Sequence, residues 1–356
     1  MDLTCRASTF DRHASLWLTP EYFPLDLVQE ENKLMLVTVS ERLYQQVNFL
    51  DDREIPTDGC VSLPLDQAIR LVKASPARGR PLHGIFHIAF CGSTLIARCL
   101  DRLPGAMVLK EPYLFHDLAF RKRHMAASEA DRETWRRHFD LLVTLLARTF
   151  HAGQAAVMKP TDASTNLISD LLANSEDARA LFLYVGLEEF LISMAGDELR
   201  RRFVRDRLAD LAALFPGHTT FRNGLWRELS DARQAACLWW VHMRLYADFV
   251  RDNPQAGCRS LCFGEFLRDP MVGLSALARH FGIESSAHEI RAAIAPAGTH
   301  SKKPGTHFTS EDRVKKQRGI YRKYSKEIRS GIEWAERHFA DCPIPAPSHL
   351  LPLETA

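Results

Sequence analysis

The segment FHIAFCGSTLIARCLDRLPGAMVLKEP, residues 86–112, constrains the fold of this chain more than any other. An apolar run (85–90) leads into the turn CGST (91–94), a stretch with helical spacing of apolar residues follows (93–103), and a second apolar run ends the unit (106–112). A strand, a tight turn, a helix and another strand in this order predict two parallel strands of one sheet, because parallel strands need a crossover that a helix usually supplies.

The same alternation continues along the chain. Strand-length apolar runs stand at 155–160, 178–186 and 258–266, and helical patterns such as 164–173 and 271–283 separate or follow them. Strands that alternate with helices predict an α/β fold with a parallel sheet flanked by helices. Ligands of such folds bind at the carboxyl ends of the strands.

The first 80 residues follow another pattern. A short apolar strand (34–40), a helix after Ser40 (40–50) and a second short helix (64–74) precede a linker rich in Pro, Gly and Arg (75–81). The sequence therefore predicts three parts: a small N-terminal α+β extension (1–80), a main domain (81–340) and a C-terminal tail (341–356).

Composition argues against several classes of protein. The net charge of +2 lacks the basic excess of a nucleic-acid binder. No apolar run reaches the roughly 18 residues of a membrane span, and the start MDLTCRASTFDR lacks the apolar core of a secretory signal. The 8 cysteines form no CxxC pair, so we expect reduced thiols in a cytoplasmic protein rather than a zinc site or disulfides. A homo-oligomer is left open.

The turn after the first main strand predicts an anion site. Gly92, Ser93 and Thr94 open a helix, where unpaired backbone N–H groups and the helix dipole attract negative charge. Glycine lets the backbone approach an anion closely, and the two hydroxyls add donors. The alternative is a plain turn with a Ser/Thr cap. The lysine of a GxxxxGK[ST] loop is missing, which disfavours a kinase or GTPase and favours a nucleotide with a single 5′-phosphate group and no magnesium.

Four segments in order resemble the sulfotransferase family: GSTLIARCLDRLPGAMVLKEP (92–112), VMKP (157–160), ALFLYVGLEEFLISM (180–194) and LCFGEFLRDPMVGLSALARHFGI (261–283). The resemblance covers about 85–340 of the chain. It implies the P-loop NTPase-like sulfotransferase fold and the donor co-substrate 3′-phosphoadenosine 5′-phosphosulfate (PAPS), without a metal. It further implies that the donor is bound by Cys91, Gly92, Ser93, Thr94, Leu95 and Ser193, and by a late basic loop with Lys302, Lys303 and Gly305.

The resemblance also implies catalytic roles. Glu111 matches a general base that takes the proton of the acceptor, and Lys159 matches a lysine that stabilises the transferring group. Lys110, beside Glu111, is a candidate for a second cation or a surface residue. Among the histidines, His87 reads as a core residue, whereas His116, His300 and His307 are candidates to approach the site.

The chain also departs from the family pattern. Phe90 stands where the family has Arg or Lys before the loop glycine, and Val185-Gly186-Leu187-Glu188 replaces its Arg-Asp-Pro-Arg. Arg98, Arg200, Arg201 and the loop 301–305 are candidates to compensate for these two lost cations. A cysteine nucleophile at Cys91 would need an arginine where the chain has Ala97.

Three functional hypotheses follow. The first is an enzyme that moves a sulfuryl group from PAPS to a hydroxyl or amine of an unknown small-molecule or peptide acceptor. The second is a non-catalytic nucleotide- or partner-binding protein on the same fold, favoured by the missing cations. The third is a P-loop kinase-like phosphotransferase. The acceptor pocket is expected in the helical insertions 113–150 and 195–255, and the role of 1–80 stays open.

Overall fold

The structure of the protein is a computed structural model, which describes residues 19–57, 59–75, 77–125, 128–254, 257–295, 310–340 and 350–351. An N-terminal unit holds an antiparallel sheet of three strands, β1 (Tyr22–Val28), β2 (Lys33–Thr38) and β3 (Val61–Pro64), in the order β1-β2-β3. Helix α1 (Glu41–Gln46) follows β2, and α2 (Leu65–Lys73) follows β3. The Ser40 hydroxyl accepts the Leu43 N–H and caps α1, as the sequence predicts.

A parallel sheet of five strands forms the centre of the molecule. Its strands are β4 (Leu82–His87), β5 (Ala106–Lys110), β6 (Ala155–Lys159), β7 (Ala180–Tyr184) and β8 (Cys258–Cys262), in the order β5-β6-β4-β7-β8. Every neighbouring pair is parallel, so the predicted α/β class is confirmed. All six residues of β4 are buried, because helices cover both faces of the sheet and neither face is exposed to water.

Helices connect and cover these strands. Their bounds are α3 (Ser93–Leu100), α4 (Tyr113–His124), α5 (Glu129–Leu146), α6 (Ile168–Asn174), α7 (Leu187–Ala195), α8 (Glu198–Leu211), α9 (Asp231–Asp252), α10 (Phe263–Arg268), α11 (Pro270–His280), α12 (Ala287–Ala293) and α13 (Ser310–His338). A 3₁₀ helix, Asp162–Leu167, follows β6. Helix α13 packs along α7 and α9.

Buried polar contacts of Arg148 hold the N-terminal unit against the end of α5. The Arg148 guanidinium, 3% exposed, donates to the carbonyls of Thr19 and Tyr22 at 2.7 Å each. The Tyr44 hydroxyl donates to the Pro20 carbonyl at 2.7 Å. The Tyr44 bond ties α1 to the chain before β1 within the unit. Burying an arginine is costly unless its donors are satisfied, so the two bonds from Arg148 fix the small sheet against the end of α5.

The strand order also locates the functional end of the sheet. From β4 the chain crosses to β5 on one side, and after β6 it crosses back to β7 on the other side. This reversal opens a crevice at the carboxyl ends of β4, β6 and β7, where ligands of open α/β sheets bind. The CGST turn, which follows β4, lies at this point.

Candidate functional site

The loop after β4 has the backbone of an anion-binding turn. Gly92 has φ 86°, and a Cβ there would lie 2.2 Å from Cζ of Phe263, so both conformation and space require glycine. The N–H groups of Leu95 and Ile96 bond to the Gly92 carbonyl, which starts α3 at Ser93. Among the described residues, no protein group hydrogen-bonds to the hydroxyls of Ser93 and Thr94, which are only 6% and 8% exposed.

The other two predicted loop residues face the interior. Cys91 is 0% exposed, and burial raises the pKa of its thiol to about 12, so it is a neutral thiol and no nucleophile. Leu95 is packed in the hydrophobic core. Neither side chain lines the pocket, so a donor contact of Cys91 or Leu95 would have to use the backbone of the loop, and their part in donor binding stays a prediction.

A pocket of about 430 Å³ lies over this loop and joins several predicted residues. Gly92, Ser93, Thr94, Glu111 and Ser193 all line it. A crevice of about 680 Å³ between α2, α4 and α5 is larger but lies away from the loop, so size alone does not locate the site. We assign the site to the smaller pocket, because it lies at the carboxyl ends of the strands, where ligands of open α/β sheets bind.

Glu111 and Lys159 form a buried ion pair at the pocket. Lys159 Nζ donates to Glu111 Oε1, and the Glu111 N–H donates to the Lys159 carbonyl at 2.6 Å. Lys159 is 1% exposed, whereas the Glu111 side chain is 17% exposed and lines the pocket. Glu111 has φ 53°, a left-handed conformation that turns the chain sharply as β5 ends. Strain of this kind is stored most often at functional sites.

Lys110 is not part of this site. Its ammonium lies 2.6 Å from Asp101 Oδ2 and donates to the Tyr44 carbonyl at 2.7 Å, and it is 1% exposed. The prediction of a second catalytic cation is wrong, and so is the surface alternative. The ammonium is turned inward to Asp101, the C-cap of α3, and to the end of α1.

Arg200 supplies a cation to the wall formed by α7 and α8. Its Cζ lies 4.7 Å from the centre of the Phe90 ring, and its Nη1 donates to the Ser193 carbonyl at 2.6 Å. It lines the pocket, as expected of a compensating arginine, whereas Arg98 and Arg201 do not. Arg201 instead pairs with Glu198 on its own helix.

Helix α13 brings two cations that sequence reasoning missed. Arg313 lies 4.6 Å over the Phe263 ring and pairs with Glu189, which also accepts a 3.1 Å bond from Gln317. Lys316 lines the pocket and is exposed. The signal was present in the sequence: Arg313, Lys316 and Gln317 recur at i, i+3 and i+4, so they share one helix face.

A second buried charge cluster surrounds Asp162, which lines the pocket. Arg207 donates to both oxygens of Asp162 at 2.8 and 3.0 Å, and His242 Nε2 lies 3.6 Å from Oδ2. Burial by itself raises the pKa of Asp162, but Arg207 and the neighbouring histidines hold it below its usual value. Burial lowers the pKa of His242 to about 4, so its ring is neutral at pH 7.

Two of the candidate histidines, His87 and His116, lie in the part of the chain that the structure describes, and both are held by hydrogen bonds. Nδ1 of His87 lies 2.9 Å from the Ile88 carbonyl and Nε2 lies 3.0 Å from the Pro160 carbonyl, and burial lowers its pKa. His87 lines the pocket but is held by the backbone. Nδ1 of His116 lies 2.9 Å from Thr161 Oγ1. The remaining predicted residues, Lys302, Lys303, Gly305, His300 and His307, lie outside the described residues.

Comparison with known proteins returned structures but no sequence relatives. No protein-family model and no curated protein matches the chain. Sulfotransferase STF1 from Mycobacterium tuberculosis H37Rv is 13% identical with a TM-score of 0.40, over 77% of this chain and 82% of that one. Sulfotransferase STF9 from Mycobacterium avium is 14% identical with a TM-score of 0.40, over 72% and 79%.

Retinol dehydratase, in complex with androsterone and the inactive cofactor PAP, is 14% identical with a TM-score of 0.37, over 78% of this chain and 87% of that one. These similarities agree with the resemblance seen in the sequence. In the part of the chain that the structure describes, no helix combines the length and apolar character needed to cross a bilayer, and no group of three or more His, Cys, Asp or Glu side chains is placed to hold a metal ion.

Proposed function

We propose that this protein is a sulfotransferase that uses PAPS and transfers its sulfuryl group to a hydroxyl or amine. The observation that carries the proposal is the Glu111–Lys159 pair, which opens into the same pocket as the start of α3 and Ser193. A carboxylate suited to accept a proton, a buried ammonium and an anion-binding helix start are the groups that the transfer needs.

The residues present fit the donor. The hydroxyls of Ser93 and Thr94, which no protein group occupies among the described residues, and the backbone of Gly92 would hold the 5′-phosphosulfate. Ser193 and the cations Arg200, Arg313 and Lys316 would hold the 3′-phosphate, in place of the arginine that the sequence lacks. When bound, PAPS supplies a sulfuryl group on a phosphate leaving group.

The chain's own groups then have distinct tasks. Glu111 accepts the proton of the acceptor hydroxyl or amine as its oxygen or nitrogen bonds to sulfur. Lys159, released from part of its bond to Glu111 when that carboxylate is protonated, stabilises the negative charge on the sulfuryl and bridging oxygens. The bond from sulfur to the bridging oxygen breaks, and adenosine 3′,5′-bisphosphate leaves.

The second candidate function is nucleotide binding without catalysis. The observation that favours it is Phe90, which fills the place of the family's cation and stacks against Arg200. Such a protein would keep the donor contacts and would not turn PAPS over.

Calorimetric titration tests nucleotide recognition. Adenosine 3′,5′-bisphosphate is expected to bind at micromolar concentration without magnesium, and ADP to bind at least about tenfold more weakly, because ADP lacks the 3′-phosphate that the cations recognise. Equal affinity for the two nucleotides, or no binding of either, would contradict both candidate functions. Turnover of bound PAPS separates the two.

A further inference from the structure

The loop of residues 47–54, which joins α1 to the approach of β3, is fixed to the carboxyl end of β5. The Leu50 N–H donates to the Lys110 carbonyl at 2.7 Å, and Leu50 is 0% exposed. The Lys110 ammonium donates to the Tyr44 carbonyl at 2.7 Å and so holds the end of α1 beside the same strand. The N-terminal unit is thus anchored directly beside Glu111, the residue that follows Lys110.

Two side chains of this loop line the pocket. Phe49 and Arg53 both belong to its wall, and the Arg53 Cζ lies 4.1 Å over the Phe49 ring. Buried Asp51 accepts the Arg53 N–H at 3.0 Å and Nε at 2.7 Å, and it also bonds Nη2. The guanidinium is therefore held in one orientation by a ring and a carboxylate, as in a built recognition site.

The Nη1 group of Arg53 is available to donate hydrogen bonds to a ligand. Its side chain is 57% exposed, and the contacts that it makes among the described residues use Nε and Nη2 and leave Nη1. The hydrogen bond to Asp51 raises the pKa of Arg53, and the charges of Asp51 and Glu111 act in the same direction. When one edge of a guanidinium, here Nε and Nη2, is held by a carboxylate, the N–H groups of the other edge can bind an oxyanion.

Sheet geometry separates Arg53 from Ser193 and Arg200, two of the residues that would hold the donor. Arg53 is anchored at β5, whereas Ser193 and Arg200 lie on the helices that follow β7. The order β5-β6-β4-β7 puts three strand spacings, or roughly 14 Å at the usual inter-strand distance, between the strands β5 and β7. Glu111, which must touch the acceptor, is on the β5 side.

We propose that Phe49 and Arg53 form the acceptor wall of the pocket and that the acceptor carries an oxyanion, a carboxylate or a sulfonate-like group, near its reacting hydroxyl or amine. This inference rests on the proposed function, because Glu111 defines the acceptor side only if it is the base. It gives the N-terminal unit a task in substrate recognition. The Nη1 side of the Arg53 guanidinium binds the oxyanion, and the Phe49 ring packs against the face of the guanidinium.

The test uses three small phenols of similar size: 4-hydroxybenzoate, 4-hydroxybenzenesulfonate and the neutral 4-hydroxybenzamide. Each is titrated against the full-length protein, with and without adenosine 3′,5′-bisphosphate, and followed by ligand-observed NMR. The variants are Arg53→Gln and the matched control Arg42→Gln, an exposed arginine on α1 of the same unit. Nucleotide affinity is measured on every variant by calorimetry.

We expect one or both anionic phenols to bind at least about tenfold more tightly than the amide, and Arg53→Gln to weaken that binding about 10- to 100-fold with nucleotide affinity unchanged. Arg42→Gln is expected to behave as the wild type. The two anions separate carboxylate from sulfonate recognition. Equal binding of all three phenols, no binding of any, or no effect of Arg53→Gln overturns the acceptor wall.

Two further outcomes are decisive. If Arg53→Gln weakens the nucleotide instead of the phenols, Arg53 is a donor contact and the inference is wrong. If the nucleotide does not bind at all but the anion preference remains and depends on Arg53, the wall stands as an anion site and the proposed function fails.

Discussion

Two buried lysines end neighbouring strands of the sheet and have opposite surroundings. Lys110 of β5 and Lys159 of β6 are partners in the strand register, and each is 1% exposed. Lys110 pairs with Asp101 in the interior, and Lys159 pairs with Glu111 at the pocket. A buried ammonium is costly unless a carboxylate pairs with it, so both lysines need such a partner. Burial and pairing alone therefore do not identify a catalytic lysine. What differs is whether the carboxylate opens into a cavity.

The Lys110 pair should matter most for stability. Replacing Lys110 with Met leaves the carboxylate of Asp101 buried without its ammonium, so we expect the free energy of unfolding to fall by about 3–5 kcal/mol. Chemical denaturation at constant pH measures it. The double change Lys110→Met with Asp101→Asn should recover part of the loss, and a loss below about 1 kcal/mol in the single variant would show that the pair is no more than a surface-like contact.

The Lys159 pair should matter most for chemistry. Lys159→Met is expected to slow sulfuryl transfer about 10²- to 10³-fold, because the charge that develops in the transition state loses its ammonium. Its stability loss should be smaller than that of Lys110→Met, since Glu111 is partly exposed to water. Sulfate release from PAPS, with water as acceptor, measures the rate, and Lys159→Arg is the charge-keeping control. If Lys159→Met lost as much stability as Lys110→Met and kept the wild-type rate of sulfuryl transfer, the two lysines would not differ in function.

The Asp162 cluster differs from the two lysine pairs because it buries a histidine, His242, in its neutral form. The pKa of His242 is about 4 in the folded protein and about 6.5 in the unfolded chain, so its contribution is fully present above pH 6.5. As pH falls from there toward 4, the unfolded chain binds the proton first and stability drops by roughly 3 kcal/mol. His83, whose pKa is also lowered to about 4, acts in the same direction.

His242→Gln should flatten this pH dependence. Denaturation of the variant and the wild type across the window from about pH 6.5 to 4 gives the two slopes. A wild-type slope that the substitution leaves untouched would mean that His242 does not carry the proton uptake.

The α13 side of the pocket should show the smallest effect. Arg313→Gln is expected to weaken adenosine 3′,5′-bisphosphate about 10- to 100-fold, because one charge-assisted contact is lost. The exposed Arg318 on the same helix provides the matched control Arg318→Gln. Similar affinities for the two variants would remove α13 from the donor site.

Local sequence patterns predicted the parts of this site that depend on neighbours in the chain. Gly92, Ser93 and Thr94 follow from a strand, a glycine and a helix start, and Glu111 from the end of the next strand. Arg53, Arg313 and Lys316 come from elements outside those patterns, and only tertiary packing brings them to the pocket. Lys110 was misread because a strand pattern says that a residue is buried but not which partner it meets.

The chemistry proposed for Glu111 is tested most directly by sulfuryl transfer from ³⁵S-labelled PAPS in the wild type and in Glu111→Gln. We expect metal-independent release of labelled sulfate or labelled acceptor by the wild type. The rate should be about 10²- to 10⁴-fold lower in Glu111→Gln, with the affinity for adenosine 3′,5′-bisphosphate unchanged. Transfer that proceeds equally fast without the Glu111 carboxylate, or a wild type that binds the nucleotide and never releases sulfate, would contradict the proposed sulfotransferase.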